Sequence, residues 1–224
     1  HMFVKSGVDI IEVGVPFTDP IAEGPIIQRA HDRAIKKQIS LEDVFELIKK
    51  FRSQDEETPI VLMGYLNSFI FYKDLIEKNQ NNSVDSILVV DIPGELDIAD
   101  YGIKNENINT ISLISPTTKN DRIKLIANNS SGFIYYVTLR GVTGSSNLDV
   151  DEIKKNISEI KKYATVPTLA GFGIKSPDDA KALSSCADGV IIGSSIVKMI
   201  EESSSTKEFD KIGSYIADIK NAIT

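Results

Sequence analysis

Residues 8–15, VDIIEVGV, form a short run of mostly apolar residues without strict polar alternation. A run of this kind is typical of a strand that is covered on both faces, as in a parallel sheet. Similar runs recur at residues 59–65, 85–93, 108–115, 132–138, 166–173 and 189–194. The sequence therefore predicts seven buried strands.

Helical patterns separate these strands. Residues 40–52 repeat apolar side chains at helical spacing behind Ser40, a favoured N-cap residue. In SPDD, residues 176–179, Pro177 occupies the first helical position behind a second serine cap. The alternation of strands and helices favours a (β/α) barrel or a doubly wound sheet. No G-x-G-x-x-G pattern follows the first strand, which weakens the dinucleotide-binding alternative.

We predict a single (β/α)8-type barrel domain over residues 3–224 that lacks its first strand. Seven strands are one fewer than a closed barrel has, and FVKSG at 3–7 resembles the end of a helix whose strand is missing. Residues 1–2, His-Met, resemble a cloning remnant. An N-terminally truncated barrel of seven βα units is expected to have an open gap beside its first strand.

The amino-acid composition argues against nucleic-acid-binding, membrane-spanning and zinc-binding proteins. A net charge of −7 over 224 residues argues against non-specific nucleic-acid binding. No apolar run is long enough to cross a membrane. The single cysteine, Cys186, fits a reducing compartment, so we expect a cytoplasmic protein. His31 has no second usable histidine with which to form a zinc site, and we predict no metal.

Two carboxylates stand out near the first strand. Glu12 lies within the apolar run, where burial raises the pKa of a carboxyl group; a solvent-facing Glu or one paired with an Arg is the alternative. Glu23 precedes Gly24-Pro25 and a helical run, and a helix-start acid is the simpler interpretation of this residue alone. Asp19, before Pro20, is typical of a turn.

Glycine turns follow the strands of the last three predicted βα units, at residues 141–146, 171–176 and 193–197. Backbone N–H groups of such turns can bind a phosphate without a cationic side chain, although glycine also simply permits tight connections. Tyr135 and Phe172 lie near strand ends, where they either line a ligand pocket or pack in the core.

Several motifs together resemble one family. They are DIIEVGVPFTDPIAEGPIIQRA (9–30), LMGYLN (62–67), LVVDIP (88–93), RGVTG (140–144), GFGI (171–174) and DGVIIGSSIVK (188–198). In this order they are similar to the tryptophan synthase alpha subunit family. The resemblance implies a (β/α)8 barrel and a lyase of tryptophan biosynthesis. Its reaction is the retro-aldol cleavage of indole-3-glycerol phosphate to indole and glyceraldehyde 3-phosphate.

The resemblance also implies roles for individual residues. The catalytic residues would be Glu12, Glu23 and Tyr135. The expected substrate contacts are Tyr65, Phe172 and Ile191, and the expected phosphate-binding residues are Gly144, Gly173, Gly193 and Ser194. Thr18, Asp19 and Pro20 would contact a partner protein.

That partner is the beta subunit, in an alpha2beta2 complex, and only the beta subunit would carry pyridoxal phosphate. The alpha chain itself is expected to need no cofactor. One motif departs from the family: AEGP, residues 22–25, has Glu23 where the family has an aspartate. For this reason a catalytically weak chain that acts mainly as an allosteric partner of the beta subunit is the alternative function. Another phosphate-binding barrel enzyme, such as an isomerase, fits the PFTDP loop less well.

Overall fold

The computed structural model describes residues 1–78, 83–103, 107–138, 149–171, 173–203 and 205–224. Within these residues, strands and helices alternate along most of the chain. The strands are β1 (Ile11–Gly14), β2 (Ile60–Gly64), β3 (Ser86–Val89), β4 (Asn109–Ile114), β5 (Ile134–Val137), β6 (Thr168–Gly171) and β7 (Gly189–Ile191).

The helices cover most of the intervening segments. They are α1 (Met2–Lys5), α2 (Pro25–Lys36), α3 (Leu41–Arg52), α4 (Leu66–Phe71), α5 (Lys73–Glu77), α6 (Asn120–Asn129), α7 (Val150–Ile160), α8 (Pro177–Ser184), α9 (Ser194–Glu202) and α10 (Thr206–Ile223), with a 3-10 helix at Ile98–Tyr101. In the part of the chain that the structure describes, no helix is both long and apolar enough to cross a membrane.

The sheet confirms the predicted strands. All seven are parallel and pair in chain order from β1 to β7. Each strand is shorter than the apolar run that predicted it. In the run 85–93, for example, β3 ends at Val89, because the chain turns at residues 90–91 ahead of Pro93.

The first and last strands form the two ends of the described sheet. The helices that follow them, α2 and α9, lie against each other. Glu201 of α9 accepts hydrogen bonds from Arg29 at 2.7 Å and from Arg33 at 2.6 Å, both on α2. Ion pairs thus join the helix after β1 to the helix after β7.

Helix starts follow the predicted capping signals. The Ser40 side chain accepts a hydrogen bond from the Asp43 backbone N–H, and Asp43 accepts one from the Ser40 backbone N–H. Ser176 and Asp179 form the same reciprocal pair at the start of α8, with Pro177 in its first turn. These pairs satisfy backbone donors that the first helical turn leaves free.

Apolar side chains pack on both faces of the sheet. The inner face is filled by Val61, Leu88, Ile111, Phe133 and Tyr135. On the outer face, Tyr136 points away from Tyr135, and its hydroxyl accepts a hydrogen bond from Asn156 of α7 at 2.9 Å. Glu12 is paired in register with Val61, so its side chain belongs to the inner face.

Arg52 joins α3 to the beginnings of two strands. Its guanidinium donates to the carbonyl oxygens of Thr58 at 2.7 Å and Ser83 at 3.2 Å, and to the Asp85 carboxylate at 2.7 Å. The Asp85 carboxylate also accepts the Ile60 N–H, at 2.7 Å. Because only 13% of the Arg52 side chain is exposed, losing it would leave several shielded acceptors without a donor.

Arg52→Lys should lower the free energy of unfolding by about 2 kcal/mol, because one ammonium group cannot replace a planar fork that serves several acceptors. Urea denaturation monitored by circular dichroism measures this change. Lys49→Ala is the matched control on α3, since Lys49 faces Glu46 at 3.6 Å and both side chains are exposed. Equal midpoints for the two variants would contradict the role given to Arg52.

Candidate active site

A cavity of about 410 Å³ opens at the C-terminal ends of the strands. In (β/α) barrels this is the side on which chemistry takes place. The cavity brings together most of the residues that the sequence analysis placed in the site. They are Glu12, Glu23, Tyr65, Tyr135, Gly173, Ile191, Gly193 and Ser194.

Glu12 projects from β1 into this cavity. The residue as a whole is partly buried, but its Oε1 atom is shielded from solvent and makes no hydrogen bond with the described residues. Burial and, to a smaller extent, the charge of Glu23 raise the pKa of Glu12 from 4.5 to about 7. The carboxyl group can therefore give or take a proton near neutral pH.

Glu23 reaches the cavity from the β1–α2 loop, residues 15–24. Its backbone N–H donates to Pro20 O at 3.0 Å, and its backbone carbonyl accepts from the Gln28 side chain at 2.8 Å. Burial raises the pKa of the Glu23 carboxyl group as well. Hydrogen bonds thus hold both the backbone N–H and the backbone carbonyl of Glu23.

Tyr135, on β5, lies close to both acids. Burial, followed by the charges of Glu12 and Glu23, raises the pKa of its hydroxyl well above the ordinary value. The phenol therefore stays protonated and can only act as a neutral hydrogen-bonding group.

Tyr135 depends on Gly171, which the sequence placed near the end of a strand and in a turn but linked to no other residue. A Cβ atom at Gly171 of β6 would lie 2.5 Å from the Tyr135 hydroxyl. That is closer than any side chain allows, so a glycine is required there. The signal in the sequence was a glycine at the end of a strand, which also marks a close approach of neighbouring atoms.

Tyr65, a predicted substrate contact, also stabilises the β1–α2 loop. Its hydroxyl accepts a hydrogen bond from the Ala22 backbone N–H at 3.0 Å, so it holds the β1–α2 loop next to Glu23. The Phe17 ring stacks on Tyr65, with ring centres 4.7 Å apart and planes 15° from parallel. Sequence reasoning missed Phe17, because nothing in the pattern links it to a tyrosine of the next βα unit.

His31 also lines the cavity. Its Nδ1 accepts a hydrogen bond from the Phe17 backbone N–H at 3.0 Å. Burial lowers the pKa of the imidazole, while the neighbouring Asp32 opposes this effect. The sequence analysis considered His31 only as a metal ligand and gave it no place in the site.

Two of the predicted phosphate-binding turns also line the cavity. Gly173 has a φ of +82°, a left-handed conformation that favours glycine. Gly193 precedes α9, and no side chain caps this helix start. The first N–H groups of α9 are therefore available to an anion. Gly144 and Phe172, the other predicted ligand contacts here, lie outside the described residues.

The predicted partner-contact residues form the outer part of the β1–α2 loop. Thr18 and Asp19 are exposed, and their side chains hydrogen-bond to each other at 2.8 Å. Pro20 is partly buried, and Ile21 beside it is 84% exposed. Contact of these residues with a partner stays a prediction.

The chain is similar to known proteins over nearly its whole length. Residues 1–223 match the family model of the tryptophan synthase alpha chain. The alpha chain of Neisseria meningitidis serogroup B is 43% identical over all of this chain and 86% of its own length. That of Nitrosomonas europaea is 42% identical, with 100% and 82% covered.

A solved structure extends the likeness to three dimensions. The tryptophan synthase subunit alpha of Legionella pneumophila superposes with a TM-score of 0.88 at 36% identity, covering 100% of this chain and 84% of that one. The sequence motifs and the parallel βα order indicate the same family. The chain belongs to the tryptophan synthase alpha chain family.

Proposed function

We propose that the cavity residues of this chain carry out the family's reaction, the cleavage of indole-3-glycerol phosphate to indole and glyceraldehyde 3-phosphate. As a tryptophan synthase alpha chain, the protein is a carbon–carbon lyase of tryptophan biosynthesis. The observation that carries the residue assignment is Glu12, a carboxyl group on the inner face of the sheet with a pKa of about 7.

The reaction needs two proton transfers. A proton must reach C3 of the indole ring, and a proton must leave the glycerol hydroxyl whose carbon becomes the aldehyde. The bond between these two carbons then breaks, and its electrons return to the indole ring. Glu12 suits both transfers, because its two protonation states are similarly populated at neutral pH.

Glu23 would stabilise the indole ring while charge develops on it. Its carboxylate would accept the indole N–H within the cavity, which Glu23 lines. Its negative charge also contributes to the raised pKa of Glu12. Glu23 would therefore act both on the indole ring and on the pKa of Glu12.

The remaining assignments follow the shape of the cavity. The neutral Tyr135 hydroxyl would hydrogen-bond near Glu12, and Tyr65 and Ile191 would contact the substrate. Gly173, between β6 and α8, and Gly193 and Ser194, at the start of α9, would bind the phosphate through their backbone N–H groups. Gly144 is also proposed to bind the phosphate, and Phe172 to contact the substrate.

The chain would perform this chemistry without a cofactor of its own, since acid–base groups suffice for every step. It would work in the cytoplasm with a beta subunit, in an alpha2beta2 complex, bound through Thr18, Asp19 and Pro20. Their exposure, with that of Ile21, supports this surface.

The second candidate function is that of an activating partner for the beta subunit with weak lyase activity of its own. Glu23 favours it, because this residue replaces the family aspartate and carries one more methylene. A displacement of a catalytic group by about 1 Å can cost roughly 100-fold in rate. Indole release from indole-3-glycerol phosphate, measured with and without the beta subunit, separates the two functions.

Glu12→Gln should reduce indole release by at least about 100-fold, because the amide can neither donate nor accept the required proton. Binding to the beta subunit, measured by size-exclusion chromatography, should be retained. The exposed Glu46→Gln is the control for loss of a carboxylate elsewhere. Normal turnover by the Glu12 variant would rule out its catalytic assignment.

The raised pKa of Glu12 should also appear in the stability of the protein. Between pH 4.5 and about 7, the folded state holds the proton that the unfolded state has lost. Stability relative to Glu12→Gln should therefore fall as pH rises through this window, by about 3 kcal/mol in total. Urea denaturation at pH 4.5, 6 and 8 measures the difference, and a difference that does not change with pH would contradict the buried-acid assignment.

Glu23→Asp should raise kcat/KM if the extra methylene displaces the carboxylate, by up to about 100-fold. Glu46→Asp, on an exposed face of α3, controls for the substitution itself. Steady-state kinetics of the two variants measure the change in kcat/KM. An unchanged kcat/KM for Glu23→Asp would mean that the side chain already reaches the position that an aspartate occupies.

A further inference from the structure

In the β1–α2 loop, the backbone N–H groups of Phe17 and Ala22 donate to side chains that lie outside the loop. The Phe17 N–H donates to His31 Nδ1 at 3.0 Å. A nitrogen that accepts this bond must carry a free lone pair. His31 is therefore neutral, with its proton on Nε2.

A chain of contacts leads from this bond to the second acid. The Phe17 ring stacks on Tyr65, and the Tyr65 hydroxyl accepts the Ala22 N–H at 3.0 Å. Ala22 is the residue before Glu23. His31 thus fixes the backbone of the loop at Phe17. Phe17 in turn packs on Tyr65, the residue that holds the loop at Ala22.

We propose that His31 is a positioning residue for the lyase reaction. The lone pair on its Nδ1 holds the β1–α2 loop in the conformation that presents Glu23 to the cavity and to Glu12. His31 acts through the loop and not on the substrate. This inference rests on the proposed function for its kinetic consequence, but the hydrogen bond itself can be tested without it.

The surroundings of His31 keep the accepting form populated. Burial lowers the pKa of the imidazole, and the charge of Asp32 on the same helix opposes this only in part. A protonated ring would place a second N–H against the Phe17 N–H and would break the contact. The titratable groups that share the cavity lining with His31 are Glu12, Glu23, Tyr65, Tyr135 and Lys175.

A packing role and a hydrogen-bonding role predict different results for two substitutions. His31→Leu fills much of the space but has no acceptor. His31→Asn is smaller but offers an amide oxygen close to where Nδ1 lies, and it does not titrate. If His31 only fills space, asparagine should be the worse replacement; if it accepts a bond, asparagine should be the better one.

The kinetic test compares indole release by both variants with that by the wild-type chain at pH 8. We expect His31→Leu to lower kcat/KM about 10- to 100-fold and His31→Asn to recover most of this loss. Asp32→Asn, on the exposed side of α2, is the control and should match the wild type at this pH. Equal losses in the leucine and asparagine variants, or no loss in the leucine variant, would overturn the proposal.

A spectroscopic test does not depend on lyase activity. The chain has two histidines, so the imidazole ¹⁵N signals of His31 can be assigned by comparison with His31→Asn. At pH 8 we expect Nδ1 to show the shift of an unprotonated, hydrogen-bonded nitrogen and Nε2 that of an N–H. A proton on Nδ1 would refute the contact. An inactive wild-type chain with the expected ¹⁵N pattern would contradict the proposed function and leave the hydrogen bond in place.

Discussion

The parallel pairing of β1 with β2 is the constraint on which the site depends. It places Glu12 in register with Val61, on the inner face of the sheet among apolar side chains. A carboxylate in such a place has lost water without gaining a partner, and its Oε1 atom has none among the described residues. The strand therefore sets the pKa of Glu12 as directly as it sets its position.

The second acid is controlled by different means. Glu23 lies in a loop, and its position depends on contacts from other elements: the Tyr65 hydroxyl, the His31 imidazole and the Gln28 side chain. All three contacts are uncharged. This arrangement fixes the loop without adding a cation, which would lower the pKa of both carboxyl groups.

The sequence predicted those parts of the molecule that depend on local signals. Continuous apolar runs identified the strands, and Ser40 and Ser176 marked helix starts, because these signals act within a few residues. The contacts that hold the site link distant positions. Phe17 and His31 are 14 residues apart, and Ala22 and Tyr65 are 43 apart, so no local pattern could reveal them.

The sequence pattern also could not reveal where the absence of a side chain makes room for a neighbouring residue. Gly171 was predicted near a strand end and in a turn, yet its lack of a side chain leaves the space that the Tyr135 hydroxyl occupies. The resemblance to the family supplied Glu12, Glu23 and Tyr135 together. Without it, strand alternation alone would have placed Glu12 and Tyr135 on sheet faces but would not have brought Glu23 to them.

The replacement of the family aspartate by Glu23 can be judged from these contacts. The backbone of Glu23 is fixed by Pro20 on one side and by Gln28 on the other, and Ala22 beside it is held by Tyr65. The loop therefore has little freedom to withdraw by the length of a methylene group. The extra length must be absorbed in the side-chain torsions of Glu23, which are free to rotate at a modest cost. Any effect on activity then depends on where those torsions leave the carboxylate, and not on a shift of the loop.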